Sequence, residues 1–293
     1  MPSNNNNHAD SELVYDLHSH SHCSDGVLSP ADLVQRAKDK GVDVLALTDH
    51  DTVAGLAEAT AQAQHVGLRL IAGVEISTSW ANHGIHVVGL GVAPSDPRLL
   101  TGLESIAEIR EVRAKRIGER LQKAGFAGIY QQALDIAGQG ARITRTHFAK
   151  ALLQRGAAKN IDTVFKKYLK RGRAGYAPTQ WAALADAVKW IKEAGGYAII
   201  AHPGRYKLTA TVRRALYQEF KEHGGDGIEV VHSNITANVL SDNIMAAKRY
   251  GFVASTGSDF HDPDYPWIEL GGNPPLPNGV TPVWAQWSTD FSL

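Results

Sequence analysis

Two rhythms of apolar residues alternate along the chain. Short, mostly apolar runs such as VDVLAL (Val42–Leu47) read as buried strands, whereas Leu33, Val34 and Ala37 recur at helical spacing between a Ser29-Pro30 start and a Gly41 stop. The same pattern predicts strands over Leu13–Leu17, Leu68–Ile76, His86–Val92, Tyr197–Ala201, Gly227–Val231 and Phe252–Thr256. Helices are predicted from Thr52 to about His65 and over Trp181–Ala194, Thr211–His223 and Thr236–Tyr250. Repeated strand and helix units argue for a mainly parallel sheet, most economically closed as a barrel. From about Pro97 to Pro178 the alternation stops and Arg- and Lys-rich helical patterns follow one another. The expectation is therefore an α/β barrel over 13–96 and 179–293, a helical insertion over 97–178 that serves substrate binding, and a disordered tail over 1–12 carrying the Asn run at 4–7.

Composition narrows the function classes. The 293 residues include 43% hydrophobic ones, enough for a sizeable core, and 30 basic side chains balance 30 acidic ones. No global charge draws the chain to nucleic acid or to a membrane, so an anion site must be built locally. The single cysteine, Cys23, excludes an internal disulfide and has no matching His/Asn pair that would make it a nucleophile. The start MPSNNNNHADSE lacks a signal-peptide pattern, and the longest apolar runs fall far short of the roughly 20 residues that cross a bilayer. A cytoplasmic protein with no membrane association is expected, and no protein partner is indicated.

The metal-capable side chains are not scattered. In a barrel of this kind chemistry gathers at the carboxyl ends of the strands. His18 and His20 follow the first strand, His50 in LALTDHD the second, Glu75 in AGVEIS the third, His202 in IIAHPG a later one, and Asp259 and His261 in STGSDFH the last. If STSWANHG is a reversing turn, the strand starting at His86 runs antiparallel and brings that histidine to the same edge; Asp25 folds back from the first loop. Residues i and i+2 of an extended segment point the same way, which makes pincers of His18 with His20 and of Asp259 with His261. Any one of these histidines alone would pass for a surface or hydrogen-bonded core residue. Nine N/O donors at one edge exceed the needs of one catalytic zinc and would supply two or three ions, with Glu75 able to bridge. Imidazole and carboxylate without thiolate suit Mn, Zn or Fe. For the neighbouring His22, Asp49, Asp51, His83 and Asp262, outer-sphere or solvent roles are expected.

The segments DLHSHSHCSDG, LALTDHD, GVEIS, IHVVGL, AHPGRY and GSDFH together resemble the successive motifs of the PHP (polymerase and histidinol phosphatase) metal-dependent phosphoesterases, across almost the whole chain. TRTHFAK, VFKKYLKRGRAGY and AHPGRY are most similar to the branch with 3',5'-nucleoside bisphosphate phosphatase and 5'-to-3' exoribonuclease activities. The resemblance implies a distorted (β/α)7 barrel with a helical insertion and a trinuclear, usually manganese, centre. Carried over position by position, it makes His18, His20, Asp25, His50, Glu75, His86, His202, Asp259 and His261 the ligands through which catalysis runs.

Such a cluster hydrolyses phosphate esters without a protein nucleophile, but a nucleotide substrate needs further cation donors. Arg113, Arg116 and Arg120 fall on one face of a helix, where the alternative is a solvated basic face paired with Glu108, Glu111 and Glu119. Arg145 and His147 in ITRTHFAK and Arg205 in HPGRY complete the candidate substrate-binding set, since arginine suits bidentate phosphate capture. Tyr168, Tyr176, Tyr206 and Trp181 could stack on a base but fit a core equally well. The expected substrates are nucleoside 3',5'-bisphosphates and short 5'-phosphorylated RNA. The rivals are a PHP phosphatase for a small ester such as histidinol phosphate, which would not require the basic insertion, and a silent nucleic-acid-binding module, which would not require the full ligand set.

Overall fold

Seven strands, β1 (Tyr15–Asp16), β2 (Val44–Leu47), β3 (Arg69–Trp80, with the two-residue β5, Ala182–Ala183, appended to it), β4 (His83–Leu90), β6 (Tyr197–Ile200), β7 (Gly227–His232) and β8 (Val253–Gly257), follow one another in this order. They form a nearly closed barrel in the computed structural model, which describes residues 13–287. The expected tail over 1–12 lies outside the described residues. Neighbouring strands are parallel except β4, which is antiparallel to both β3 and β6. Beyond the last strand residues, backbone hydrogen bonds draw the two ends together. Leu17 N–H donates to Thr256 O at 3.0 Å, Asp259 N–H to His18 O at 2.8 Å and His20 N–H to Phe260 O at 2.9 Å.

Each wall strand is buried on both faces, which explains its continuous apolar run. Along β2, Val44 and Ala46 pack with Ile71 and Ile199, while Leu45 and Leu47 pack with Leu33 of α1 (Pro30–Asp39) and Leu56 of α2 (Leu56–Val66). After β4 the chain leaves the barrel through α3 (Pro97–Lys123), α4 (Ile129–Ala137), α5 (Arg145–Gln154) and α6 (Ile161–Val164), which runs into one π-helical turn, Phe165–Leu169. It then returns through α7 (Leu184–Glu193), α8 (Ala210–Glu222) and α9 (Ala237–Tyr250). Helix α3 belongs to two cores. Its Leu99, Leu103 and Ile106 pack with Val188 and Ile191 of α7, whereas Ala114, Ile117 and Leu121 pack with Phe148 and Leu152 of α5. At Gly102 a Cβ would meet the Trp190 ring at 2.4 Å, so only glycine permits the close approach of α3 to α7.

Several boundaries differ from those the sequence predicts. Only two residues of β1 are strand, and α2 begins at Leu56 rather than Thr52, after a turn in which Asp51 takes a positive φ of 52°. The largest difference is STSWANHG. The strands continue through it to Trp80 and resume at His83, joined by Ala81 (φ 45°) and Asn82 (φ 64°) as a two-residue turn. Thr78 Oγ1 donates to Ile85 O at 2.7 Å within the hairpin, whereas two serines are satisfied from outside it. Ser77 Oγ accepts from Arg110 at 2.9 Å, and Ser79 Oγ from Trp181 N at 2.9 Å. Among the described residues no helix is long and apolar enough to cross a membrane.

Candidate functional site

The barrel closure sets His18 and His20 beside Asp259 and His261. The His20 ring stacks on His261 with centroids 4.1 Å apart, and His20 Nε2 lies 3.1 Å from Asp259 Oδ1. At Gly257 a Cβ would sit 2.2 Å from His18 Cβ, so this seam closes only because β8 ends on glycine. Glu75, fully buried, is the hub. Its Oε1 is 2.9 Å from His86 Nδ1 and 3.1 Å from His202 Nε2, while Oε2 is 2.8 Å from His50 Nδ1 and 3.4 Å from both His18 Nε2 and His20 Nε2. Register accounts for His86: it pairs with Ser77 across the hairpin, two residues along from Glu75 on the same face. It stands in mid-strand, not at the strand start that the sequence suggests.

Three overlapping groups have donor atoms mutually within 4.8 Å: His20, Asp25, His50 and His261; His18, His20, Glu75 and Asp259; and His50, Glu75 and His86. Within them, Glu75 belongs to two groups, as a bridging carboxylate would. His202 lies outside these groups but reaches Glu75 as above. Buried donor atoms of His18 (Nε2), His20 (Nδ1), Asp25 (Oδ1) and His202 (Nδ1) have no hydrogen-bond partner. An unsatisfied buried polar atom costs about 1–3 kcal/mol, so their concentration here, all nitrogen or oxygen, fits divalent cations. The charges fit too. Burial would raise the Glu75 carboxyl, but His50, His86 and His18 outweigh it and hold it well below the ordinary range. Burial likewise opposes ionisation of Asp25 and Asp259, yet His50 and His261 for the first, and Arg205 and His18 for the second, keep both well below that range. The carboxylates therefore stay anionic, as ligands must.

The backbone is strained where these groups converge. His202 (φ 30°), Asp259 (φ 57°) and Asp51 (φ 52°) are non-glycine residues in the left-handed region, each costing about 1–3 kcal/mol. Side chains that the ligand pattern does not include hold them. Glu229, buried in mid-β7, accepts from the His202 N–H through Oε2 and from His18 Nδ1 at 2.7 Å through Oε1. That bond leaves His18 Nε2 free for an ion. Asp51 N–H donates to Glu75 O at 2.9 Å, and its carboxylate accepts from Ser77 N at 2.6 Å and Arg110 Nε at 2.6 Å. Asp49 accepts from Ser21 N at 2.8 Å and from the hydroxyls of Ser21 and Ser24, each at 2.6 Å. Cys23 is half-buried and burial raises its thiol pKa, the opposite of what activates a nucleophile.

A cavity of about 1000 Å³ opens above the cluster, walled by Asp25, His50, His86 and His261 together with Arg113, Arg116, Arg145 and Arg205. Arg110 and Arg171, absent from the sequence-predicted set, line it as well. Arg110 and Arg113 stack on one ring, Trp181, at 5.0 and 4.9 Å. Burial, and then the neighbouring Arg145 and Arg110, push the Arg113 pKa down to about 9, a crowding of cations that an anion relieves. No glutamate neutralises this face: among the described residues Glu111 pairs with Lys115, and neither Arg113 nor Arg116 has an ion pair. Arg120 turns away to Ala174 O at 2.9 Å. Arg205 pairs with Asp259 at the cluster itself.

His147 is placed differently from its expected role. It is buried, does not line the cavity, and its Nδ1 accepts from Thr144 N at 3.0 Å, so that it closes the capping box of α5. The hydroxyls of Thr144 and Thr146 each reach Asp25 Oδ2 at 3.0 Å. The helix cap therefore anchors a member of the cluster, and Arg145 between them faces the cavity. A capping signature, Thr144 three residues before a residue with an acceptor ring, was present in the sequence.

A family model described as PHP domain matches residues 16–176. The chain is 45% identical over 92% of its length to a 3',5'-nucleoside bisphosphate phosphatase of Chromobacterium violaceum, covering 95% of that protein. It is 46% identical to the 5'-3' exoribonuclease Rnm of Escherichia coli, with 94% of each chain covered. A solved Chromobacterium violaceum structure described as an amidohydrolase, with bound sulfate and no metal, superposes with a TM-score of 0.89 at 44% identity over 93% of this chain and 95% of that one.

Proposed function

We propose, since the chain belongs to the PHP family of metal-dependent phosphoesterases, that it hydrolyses the 3'-phosphate of nucleoside 3',5'-bisphosphates and, by the same step, removes 5'-nucleotides from short 5'-phosphorylated RNA. The observation that carries this reading is one cavity with two unlike ends: a cluster of imidazoles and carboxylates, and the guanidinium groups of Arg113, Arg116 and Arg145, which among the described residues have no carboxylate partners. A substrate with two phosphates one nucleoside apart matches that division. The names of the relatives from Chromobacterium violaceum and Escherichia coli support the two substrate forms.

His18, His20, Asp25, His50, Glu75, His86, His202, Asp259 and His261 would hold two to three ions, manganese by preference, with zinc or iron as alternatives. Bound there, divalent ions supply Lewis-acid polarisation of the phosphoryl group and hydroxide at neutral pH. The protein does the rest by positioning. Arg113, Arg116 and Arg145 grip the distal 5'-phosphate, and Arg205, fixed by Asp259, meets the scissile group. Water adds to phosphorus, the bond to the 3'-oxygen breaks, and that oxygen takes a proton. A bisphosphate yields a nucleoside 5'-phosphate and inorganic phosphate. RNA yields the same mononucleotide and a strand that again begins with a 5'-phosphate, ready for the same grip.

The test compares a nucleoside 3',5'-bisphosphate with a 5'-phosphorylated oligoribonucleotide, before and after chelation. Expected are free phosphate from the first, nucleoside 5'-phosphates from the 5' end of the second, and loss of both on chelation. Release of nucleoside 3'-phosphates, or activity that survives chelation, contradicts the reading.

A further inference from the structure

In the proposed reading the cavity takes two phosphates, whereas an RNA substrate continues beyond the scissile one. We propose that Lys166, Lys167, Lys170, Arg171 and Arg173 form a track for the backbone of single-stranded RNA on the 3' side of the scissile phosphate. The inference rests on the RNA-directed half of the proposed function and names the surface that it requires.

Three observations converge on this segment. First, all five side chains are exposed, and among the described residues none makes an ion pair or a side-chain hydrogen bond. Several cations elsewhere are matched, as Arg36 and Lys40 are by Glu269, Lys192 by Asp226 and Arg110 by Asp51. In a chain with net charge +0, five like charges within eight residues repel one another unless a polyanion lies across them. Secondly, the segment begins in the π-helical turn Phe165–Leu169, a rare irregularity that turns Phe165 to the cavity while Lys166 and Lys167 stay in solvent. Arg171 lines the same cavity, so the run lies along its rim.

Thirdly, the substrate's own chemistry assigns the 3' side, because an RNA that begins at a 5'-phosphate has further phosphates only beyond the scissile one. The Phe165 ring lies under Arg145 at 5.7 Å, and the residues flanking Arg145 bond Asp25 of the cluster. The segment therefore lies behind Arg145, whose flanking threonines reach Asp25 and whose own charge faces Arg113. A strand emerging from the scissile phosphate passes this rim. Its phosphates would make contacts that hold without reading sequence.

The experiment substitutes Lys166, Lys167 and Lys170 together by alanine, leaving the cavity-lining Arg171 intact. Anisotropy titrations use a 5'-phosphorylated, phosphorothioate-linked octaribonucleotide across a salt series, and turnover is measured with a nucleoside 3',5'-bisphosphate. Loss of about three phosphate contacts predicts roughly tenfold weaker octamer binding and a log–log salt slope shallower by about 2, with bisphosphate turnover changed less than twofold. Unchanged octamer binding overturns the track. So does an equal loss on the bisphosphate, which would assign the segment to the cavity. Because binding is read separately from turnover, a failure of the proposed reaction would appear as absent bisphosphate hydrolysis in the unmodified protein, whatever the octamer does.

Discussion

Glu75 and Glu229 are both buried carboxylates in strands, yet they do different work. Glu75 touches five histidines of the cluster, whereas Glu229 touches the ring of one and the backbone of another. Glu75→Ala should therefore abolish high-affinity metal binding and turnover. Glu229→Gln should weaken metal affinity by about 10- to 100-fold, the usual cost of losing an outer partner, and excess metal should partly restore its rate. His22→Ala, at an exposed side chain, should leave both properties unchanged. Metal titration of the three variants checks this order, and equal affinities for Glu75→Ala and His22→Ala would contradict the site. Glu75 could be read from the sequence because it follows an apolar run and coincides with other donors at strand ends. Glu229 could not: a single acid inside GIEVV carries no signal of its partner two hundred residues away.

Elements were legible to the extent that their neighbours matched their rhythm. The helices α1, α8 and α9 start behind Ser29, Thr209 and Thr236, whose side chains accept the expected capping bonds. The antiparallel β3–β4 pairing was legible but its extent was not, because Ser77 and Ser79 are satisfied by Arg110 and by the segment entering α7, contacts that no local pattern reveals. Helix α5 shows how a local signal can be misread as chemistry: His147 sits where a cap is needed, not on the cavity wall. Burial lowers its pKa from 6.5 to about 4, and its ring must be neutral to accept from Thr144. Between those values the unfolded chain takes up a proton that the folded one refuses, so this contribution to stability is complete above about pH 6.5 and is lost as the pH falls toward 4. His147→Gln retains a capping side chain without titrating. Denaturant unfolding of the metal-free proteins should find the native chain losing up to about 3 kcal/mol more than the variant between pH 7 and 4; parallel pH profiles would remove His147 from that role.

On the scale of the whole molecule, α3 joins the two ends of the site. Its first half is packed in the barrel core, Arg110 clamps Asp51 beside His50, and Arg113 and Arg116 present the next turn to the cavity. Barrel edge and inserted helices are thus held at a fixed spacing, and the account depends on that spacing matching a nucleoside with a phosphate at each end. The sequence yielded both halves separately, the donors from strand ends and the arginines from one helix face, but not their common cavity, which is a product of tertiary packing. The most direct measurement is a double cycle at fixed metal and salt, in which native protein and Arg116→Ala each act on a nucleoside 3',5'-bisphosphate and on the corresponding nucleoside 3'-phosphate. Arg116 is exposed and has no ion pair among the described residues, so its removal should not disturb folding. A charge-assisted contact worth about 1.5–3 kcal/mol predicts a loss in kcat/KM of about 10- to 150-fold on the bisphosphate, with almost none on the 3'-phosphate. Equal proportional losses on the two substrates would contradict recognition of the 5'-phosphate by this face of α3.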